Sequence, residues 1–144
     1  NTAWAFATAG AARRPLFRVI AAEASRRTSD FSPQALANTA WAFATAELAA
    51  PALFDAIAVE ARPRVGEFKA REVAMTAWAF AKANVSAARL YQAIASETPQ
   101  RVKDYSSQEM ANVAWAFATQ RLAAPRLFRA IAAEATPRVA EFNA

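Results

Sequence analysis

The sequence of 144 residues contains no histidine and no cysteine. This absence excludes Cys/His zinc sites, thiol nucleophiles, Ser-His-Asp triads and disulfide bonds. The carboxylates supply no replacement, because most recur at equivalent positions of a repeat and form no single group of acid, base and nucleophile. We therefore expect a protein that is not an enzyme, with no catalytic residue, no metal site, no cofactor and no small-molecule substrate.

Glycine is almost absent, with two residues, and proline is limited to seven. Alanine makes up most of the apolar residues, and it has the highest helix propensity, whereas glycine has nearly the lowest. This composition predicts long stretches of helix. The sequence has no run of about 18 apolar residues without a charge, so we expect no membrane partner. A charged and then apolar signal segment is also not found at Asn1 and the residues after it.

The chain repeats itself with a step of 37 residues. The segment 1–7 (NTAWAFA) matches 38–44, 75–81 and 112–118, and single positions keep the same step: Trp4, Trp41, Trp78 and Trp115; Leu16, Leu53, Leu90 and Leu127; Ile20, Ile57, Ile94 and Ile131. A fixed period of about 20–50 residues is typical of stacked arrays, in which each unit buries its apolar face on its neighbours. We predict an all-α fold, a right-handed α-solenoid of helix-pair repeats with a 37-residue period.

The period divides residues 1–144 into one helical-repeat domain, with units at approximately 1–30, 31–67, 68–104 and 105–141. Residues 142–144 begin a further repeat in the same register. Repeats with a polar outer face, which cap a solenoid that stands alone, are not recognisable at either end. We therefore expect these residues to be a fragment of a longer array.

Each unit is predicted to contain two helices. Helix A begins after the N-cap Ser32, with Pro33 at its first position, and runs to about Ala46. Ser106 and Glu109 have the spacing of a capping box, and the aromatic residue before each cap pairs with an apolar residue five positions on: Phe31/Leu36, Phe68/Val73 and Tyr105/Met110. Helix B starts near Pro51 or Pro125, and a later proline ends or kinks it: Pro63, Pro99 and Pro137.

A glutamate and an arginine recur four residues apart in every unit: Glu23/Arg27, Glu60/Arg64, Glu97/Arg101 and Glu134/Arg138. Acid before base at i, i+4 is the favourable order on a helix. Because a proline lies inside three of these pairs, an alternative is that each Glu pairs with an Arg of the next unit. Both interpretations make the pairs structural contacts between repeats.

The net charge of +5 and the predominance of Arg over Lys indicate an anionic polymer as a partner, since Arg matches phosphate and stacks on bases. A GC-rich genome, which enriches Ala and Arg together, explains the same composition without a function.

One side of helix A carries amides and hydroxyls beside a tryptophan, a combination that can bind base edges and stack a base. The predicted RNA-binding residues on this side are Asn1, Thr8, Gln34, Asn38, Thr45, Arg71, Met75, Lys82, Gln108, Asn112 and Thr119. The third unit differs at all three places, as a modular reader of bases would. A solvated face of ordinary polar residues is the alternative. We assign the tryptophans to packing between units in preference to base stacking.

The string LANTAWAFAT (36–45), followed by PALFDAIA (51–58), resembles the octotricopeptide-type repeats of RAP-domain and FAST-kinase-like organellar proteins. It is also similar to the helical subunits of the RNA-editing substrate-binding complex. The resemblance covers nearly the whole chain. It implies organellar RNA metabolism (processing, stability, editing or translation), in a mitochondrion or chloroplast, with other proteins of an RNA-processing complex as further partners.

We therefore predict a non-enzymatic scaffold that binds single-stranded RNA along its helix A face. A protein- or peptide-binding helical array is the alternative.

Overall fold

A computed structural model describes residues 14–143, and the side chains of residues 14–139. The helices are α1 (Arg14–Arg27), α2 (Pro33–Thr45), α3 (Pro51–Ala61), α4 (Ala70–Lys82), α5 (Ala88–Glu97), α6 (Ser107–Thr119) and α7 (Pro125–Ala135). Four 3-10 segments follow the odd-numbered helices: Thr28–Asp30, Arg62–Glu67, Thr98–Asp104 and Thr136–Asn143. Residues 14–143 include no strand, so the predicted all-α class is confirmed for the described part of the chain.

Helices α2, α4 and α6 begin at Pro33, Ala70 and Ser107 and end at Thr45, Lys82 and Thr119, in steps of 37 residues. We call these three the A helices, and we call α1, α3, α5 and α7 the B helices. Within residues 14–143, none of the helices combines the length and the hydropathy that crossing a membrane requires.

The predicted starts of the A helices are confirmed at α2 and α6. The Ser32 hydroxyl accepts a hydrogen bond from the Ala35 amide at 3.1 Å, and Ser106 with Glu109 forms the complete capping box. At α4 the cap position is Lys69, whose ammonium group has no acceptor atom, so only half of the box remains. There the Glu72 carboxylate accepts from the Lys69 amide at 2.7 Å.

The ends of the A helices use a motif that the sequence did not predict. Glu47, Asn84 and Arg121 have φ of 56°, 57° and 56°, in the left-handed region that usually holds glycine at a helix C-terminus. The Leu48 amide donates to the Phe43 carbonyl and the Glu47 amide to the Ala44 carbonyl, which is the Schellman arrangement. The same bonds recur at the ends of α4 and α6. This turn redirects the chain from an A helix to the following B helix.

Three of the B helices end at the boundaries that the prolines predicted. Helices α3, α5 and α7 stop at Ala61, Glu97 and Ala135, and 3-10 segments containing Pro63, Pro99 and Pro137 follow. Thr98 and Thr136 are the first residues of the 3-10 segments that follow α5 and α7.

Alanine allows the A helices to approach one another closely. On α2, Ala37 and Ala44 lie on one flank and Ala42 on the other, and all three are buried. Helix α4 packs against α2 on one side and α6 on the other. Small side chains on both flanks shorten the distance between helix axes. The B helices α5 and α7 contact the preceding 3-10 segments more extensively than the preceding B helix.

Aromatic pairs join the B helices α1, α3 and α5 to the A helix of the next unit. Phe17 meets Phe43, Phe54 meets Phe80 and Tyr91 meets Phe117, edge to face, with ring centroids 5.0, 4.9 and 4.9 Å apart. All six rings are buried. Edge-to-face pairs contribute about 0.5–1.5 kcal/mol beyond the burial of their area. The repeats are thus interlocked by the same contact at each described junction.

The predicted Glu/Arg pairs form within the unit. The pairs Glu60/Arg64, Glu97/Arg101 and Glu134/Arg138 have N–O distances of 3.2, 3.7 and 3.2 Å. The same arginines also donate to the carbonyl of the aromatic residue 33 positions earlier: Arg64 to Phe31 at 2.9 Å, Arg101 to Phe68 at 2.8 Å and Arg138 to Tyr105 at 3.1 Å. The arginines thereby join successive 3-10 segments, which supports the structural interpretation of these pairs.

Candidate nucleic-acid interface

One surface of every A helix faces away from the buried core. Its residues follow the spacing i, i+4, i+7 and i+11, which places them in one line along a helix. We call these residues the helix A stripe: Gln34, Asn38, Trp41 and Thr45 on α2; Arg71, Met75, Trp78 and Lys82 on α4; Gln108, Asn112, Trp115 and Thr119 on α6. On α2 the opposite line, Leu36, Ala40 and Phe43, is fully buried.

The predicted RNA-binding residues of the three described A helices all lie at the surface. The first and last positions of each stripe are exposed: Gln34, Thr45, Arg71, Lys82, Gln108 and Thr119. The second position is half-buried: Asn38, Met75 and Asn112. The predicted residues Asn1 and Thr8 lie outside the described residues.

Neighbouring stripes run parallel and in register. The rings of Trp78 and Trp115, which hold the same position of successive units, have centroids 6.4 Å apart and planes inclined by 32°. At the C-terminal ends of α2 and α4, the Lys82 Nζ atom lies 3.9 Å from Glu47 Oε1. The stripes of α4 and α6 therefore meet at their tryptophans, and we call the surface that carries the three stripes the helix A face.

The tryptophans combine packing with exposure. Trp78 packs against the buried cluster and against Trp115, as expected for a residue between units. Each ring is nevertheless in line with the polar stripe, with Trp41 and Trp78 half-buried and Trp115 44% exposed. The prediction that the tryptophans serve packing alone is thus incomplete. Trp41 lies three residues after Asn38 and four before Thr45, and this spacing indicates that its ring shares their side of the helix.

Polar contacts differ along the helix A face. The Gln108 amide donates to Asn112 Oδ1 at 2.9 Å, which orients both side chains of that stripe. Arg71 lies in an open polar cleft of about 400 Å³ that it shares with Lys69, Glu67 and Asp104. Both cations of the α4 stripe thus have acidic neighbours, since Lys82 is near Glu47.

Most exposed arginines lie away from the helix A face. Those on the B helices are Arg14, Arg18, Arg26, Arg27, Arg89, Arg126 and Arg129, and Arg62 follows α3. The positive charge that suggested an anionic partner is therefore shared between the two sides of the array, with the larger part on the B side.

Two junctions between A helices differ at their C-terminal ends. Where α4 packs on α2, Ala83 leaves an open cavity of about 460 Å³, lined by Phe43, Leu48, Phe54 and Val85 and with Glu47 and Lys82 also at its wall. We call this the Ala83 junction. The cavity is mainly apolar and lies beside the last residue of the α4 stripe.

Where α6 packs on α4, the residue equivalent to Ala83 is Gln120. Its amide nitrogen Nε2 donates to the Phe80 carbonyl at 3.3 Å and to the Val85 carbonyl at 3.0 Å. At this Gln120 junction Tyr91 replaces Phe54, and its hydroxyl donates to the Ala77 carbonyl at 2.6 Å. Burial raises the pKa of Tyr91 well above its ordinary range, so the hydroxyl stays protonated.

Among the described residues, no group of three or more acidic side chains could hold a metal ion. The helix A face carries amides, hydroxyls, aromatic rings and two cations. These groups suit hydrogen bonding and stacking of planar polar ligands.

The chain was compared over its whole length with known protein families and sequences. The family model of the RNA-editing substrate-binding complex 6 protein matches residues 2–136. No curated protein sequence matches the chain. Of the families that the sequence resembles, the match supports the RNA-editing substrate-binding complex, while the relation to octotricopeptide and RAP-domain proteins stays a prediction.

Proposed function

Because the chain belongs to the family of the RNA-editing substrate-binding complex 6 protein, we propose that it is a non-catalytic component of RNA editing that binds single-stranded RNA on its helix A face. The observation that carries this proposal is the helix A face itself, with three parallel stripes of exposed amide, hydroxyl and cationic groups beside tryptophans. Single-stranded RNA is recognised by stacking on aromatic rings and by hydrogen bonds to base edges.

We propose the array as a right-handed α-solenoid in which each 37-residue unit presents one stripe. In-register contacts such as Trp78 to Trp115 support this arrangement. The scaffold is constant, while the stripe changes from Gln, Asn and Thr in α2 and α6 to Arg, Met and Lys in α4. A nucleotide beside α4 would therefore meet different groups from its neighbours. We place this function in the mitochondrion, and nothing in the comparisons favours the chloroplast.

The test is a binding experiment with single-stranded RNA, duplex RNA and single-stranded DNA across a salt series. The triple variant Arg71→Gln, Met75→Asn and Lys82→Thr should bind every RNA sequence more weakly. The salt slope should fall by up to about 0.7 for each lost charge that touches a phosphate. A selection experiment should show a changed preference at one nucleotide, worth about 1–3 kcal/mol.

The matched control replaces Arg89, Arg126 and Arg129, which are exposed on the B helices, with Gln. This variant should lower affinity without changing the preferred sequence. If the α4 variant kept full RNA affinity and the B-helix variant lost all of it, RNA would bind on the side of the B helices. That result would refute the helix A face as the RNA site.

A protein partner is the second candidate, supported by the groove between α3 and α5. Val59 is 68% exposed there and lies with Arg62 and Arg89 in a groove of about 290 Å³. An exposed apolar residue between two arginines suits an acidic peptide with an apolar side chain. Val59→Asn should abolish capture of such a partner while leaving RNA affinity within about twofold, since the substitution changes no charge and lies away from the helix A face.

A further inference from the structure

The structure holds two versions of one junction, and the hydrogen-bonded version indicates what the other can bind. Phe43, Leu48 and Ala83 of the Ala83 junction are equivalent, 37 residues on, to Phe80, Val85 and Gln120. At the Gln120 junction a carboxamide donates from one nitrogen to the Phe80 and Val85 carbonyls. At the Ala83 junction the side chain is a methyl group, and the corresponding space is a cavity of about 460 Å³.

We propose that the cavity at the Ala83 junction binds a nucleobase that carries an exocyclic amino group, namely adenine, cytosine or guanine. Such an amino group is planar and carries two N–H donors, as the Gln120 carboxamide does. It can donate to the Phe43 and Leu48 carbonyls in place of the missing side chain. Uracil has no exocyclic amino group, so it cannot donate from one amino nitrogen to both the Phe43 and the Leu48 carbonyls.

The walls of the cavity fit the rest of a base. Phe43, Leu48, Phe54 and Val85 provide apolar and aromatic surface. The volume lies within the range of about 300–1,000 Å³ found for small-ligand sites, which are mostly apolar with a few placed polar groups. A base therefore gains apolar contact over its ring and specificity from its amino group.

The cavity also lies beside the proposed path of RNA. Lys82 belongs both to the α4 stripe and to the wall of the cavity. Its contact with Glu47 is long at 3.9 Å, and its side chain is 43% exposed. An exposed ion pair of this kind contributes little, so Lys82 can turn to a phosphate. The choice of RNA as the source of the base rests on the proposed function, whereas the chemistry of the cavity does not.

The experiment uses free nucleosides, followed by the amide NMR signals of Leu48 and Ala83 in the full chain. Adenosine and cytidine should give saturable shifts, and uridine should give none. Ala83→Gln should fill the cavity and weaken the adenosine response more than tenfold. Ala133→Gln, an equivalent change at an exposed position of α7, should leave the response intact.

A reciprocal variant tests the same idea at the other junction. Gln120→Ala should open the Gln120 junction and create a new adenosine response at Val85. Equal responses to adenosine and uridine, no response to adenosine at millimolar concentration, or an unchanged response in folded Ala83→Gln would each overturn the inference.

The outcome for RNA is read separately with single-stranded oligonucleotides. Nucleoside binding without RNA binding would refute the proposed function and leave the base site standing. RNA binding with an adenosine response that Ala83→Gln does not change would refute the base site alone.

Discussion

The Ala83 and Gln120 junctions have equivalent helices and equivalent aromatic contacts but differ in their polar groups. Phe54 packs on Phe80 at one and Tyr91 on Phe117 at the other, with the same centroid distance of 4.9 Å. Only the Gln120 junction adds side-chain hydrogen bonds to the main chain of α4 and its C-terminal turn. The apolar interlock is therefore the constant part of the repeat, and the polar end of the junction is where one unit can differ from the next.

The largest expected effect comes from the interlock that both junctions share. Phe80→Ala and Phe117→Ala should each lower the free energy of unfolding by about 3–5 kcal/mol, because each removes a buried aromatic ring. Denaturant unfolding followed by circular dichroism measures both. A much smaller loss of stability for Phe117→Ala than for Phe80→Ala would show that polar groups stabilise the Gln120 junction. It would contradict the view that the aromatic contact is the constant part of both junctions.

Gln120→Ala should have the next largest effect. It removes two hydrogen bonds that contribute about 0.5–1.5 kcal/mol each, so we expect a loss of about 1–3 kcal/mol. Gln92→Ala, at an exposed position of α5, is the matched control and should change stability by no more than about 0.5 kcal/mol. Equal behaviour of the two variants would mean that the amide of Gln120 adds nothing to the junction.

Ala83→Gln should make the two junctions more alike. If the new carboxamide reaches the Phe43 and Leu48 carbonyls, stability should rise by about 1 kcal/mol, which for a chain of this size raises Tm by about 2–4 °C. Differential scanning calorimetry gives the value. A lower Tm would show that the cavity does not accept the side chain that its neighbour holds.

The smallest effect is expected at the helix ends, where Arg121 has a φ of 56°. Arg121→Gly should raise stability by about 0.5–1 kcal/mol, since glycine adopts this conformation without the penalty of a Cβ atom. Glu47→Gly should gain less, because it also removes the contact with Lys82. Thermal unfolding of both variants tests this order, and a loss of stability in Arg121→Gly would contradict it.

The sequence predicted the parts of the fold that depend on local rules. Ser32 with Pro33, the Ser106/Glu109 capping box and the prolines after the B helices each mark a helix boundary that the structure contains. These signals are read correctly because they act within a few residues of one another. The exposed positions of the stripe were predicted for the same reason, since helical spacing alone separates Gln34 and Thr45 from Leu36 and Phe43.

The helix ends and the tryptophans were predicted less well. Glu47 and Arg121 adopt a conformation that favours glycine, and nothing in their residue type indicates it. Trp78 is both packed and partly exposed, which depends on how closely α6 approaches α4. Neither property follows from a single helix.

The sequence by itself determined the helical composition, the 37-residue step and the faces of each helix, because propensity, capping and amphipathic spacing are local. Only the tertiary structure decided which residues meet across units. Gln120 and Ala83 occupy the same position of the repeat, yet Gln120 donates hydrogen bonds across its junction and Ala83 borders a cavity. That difference arises from carbonyls 35 and 40 residues away in the chain, which packing of the A helices brings within hydrogen-bonding distance.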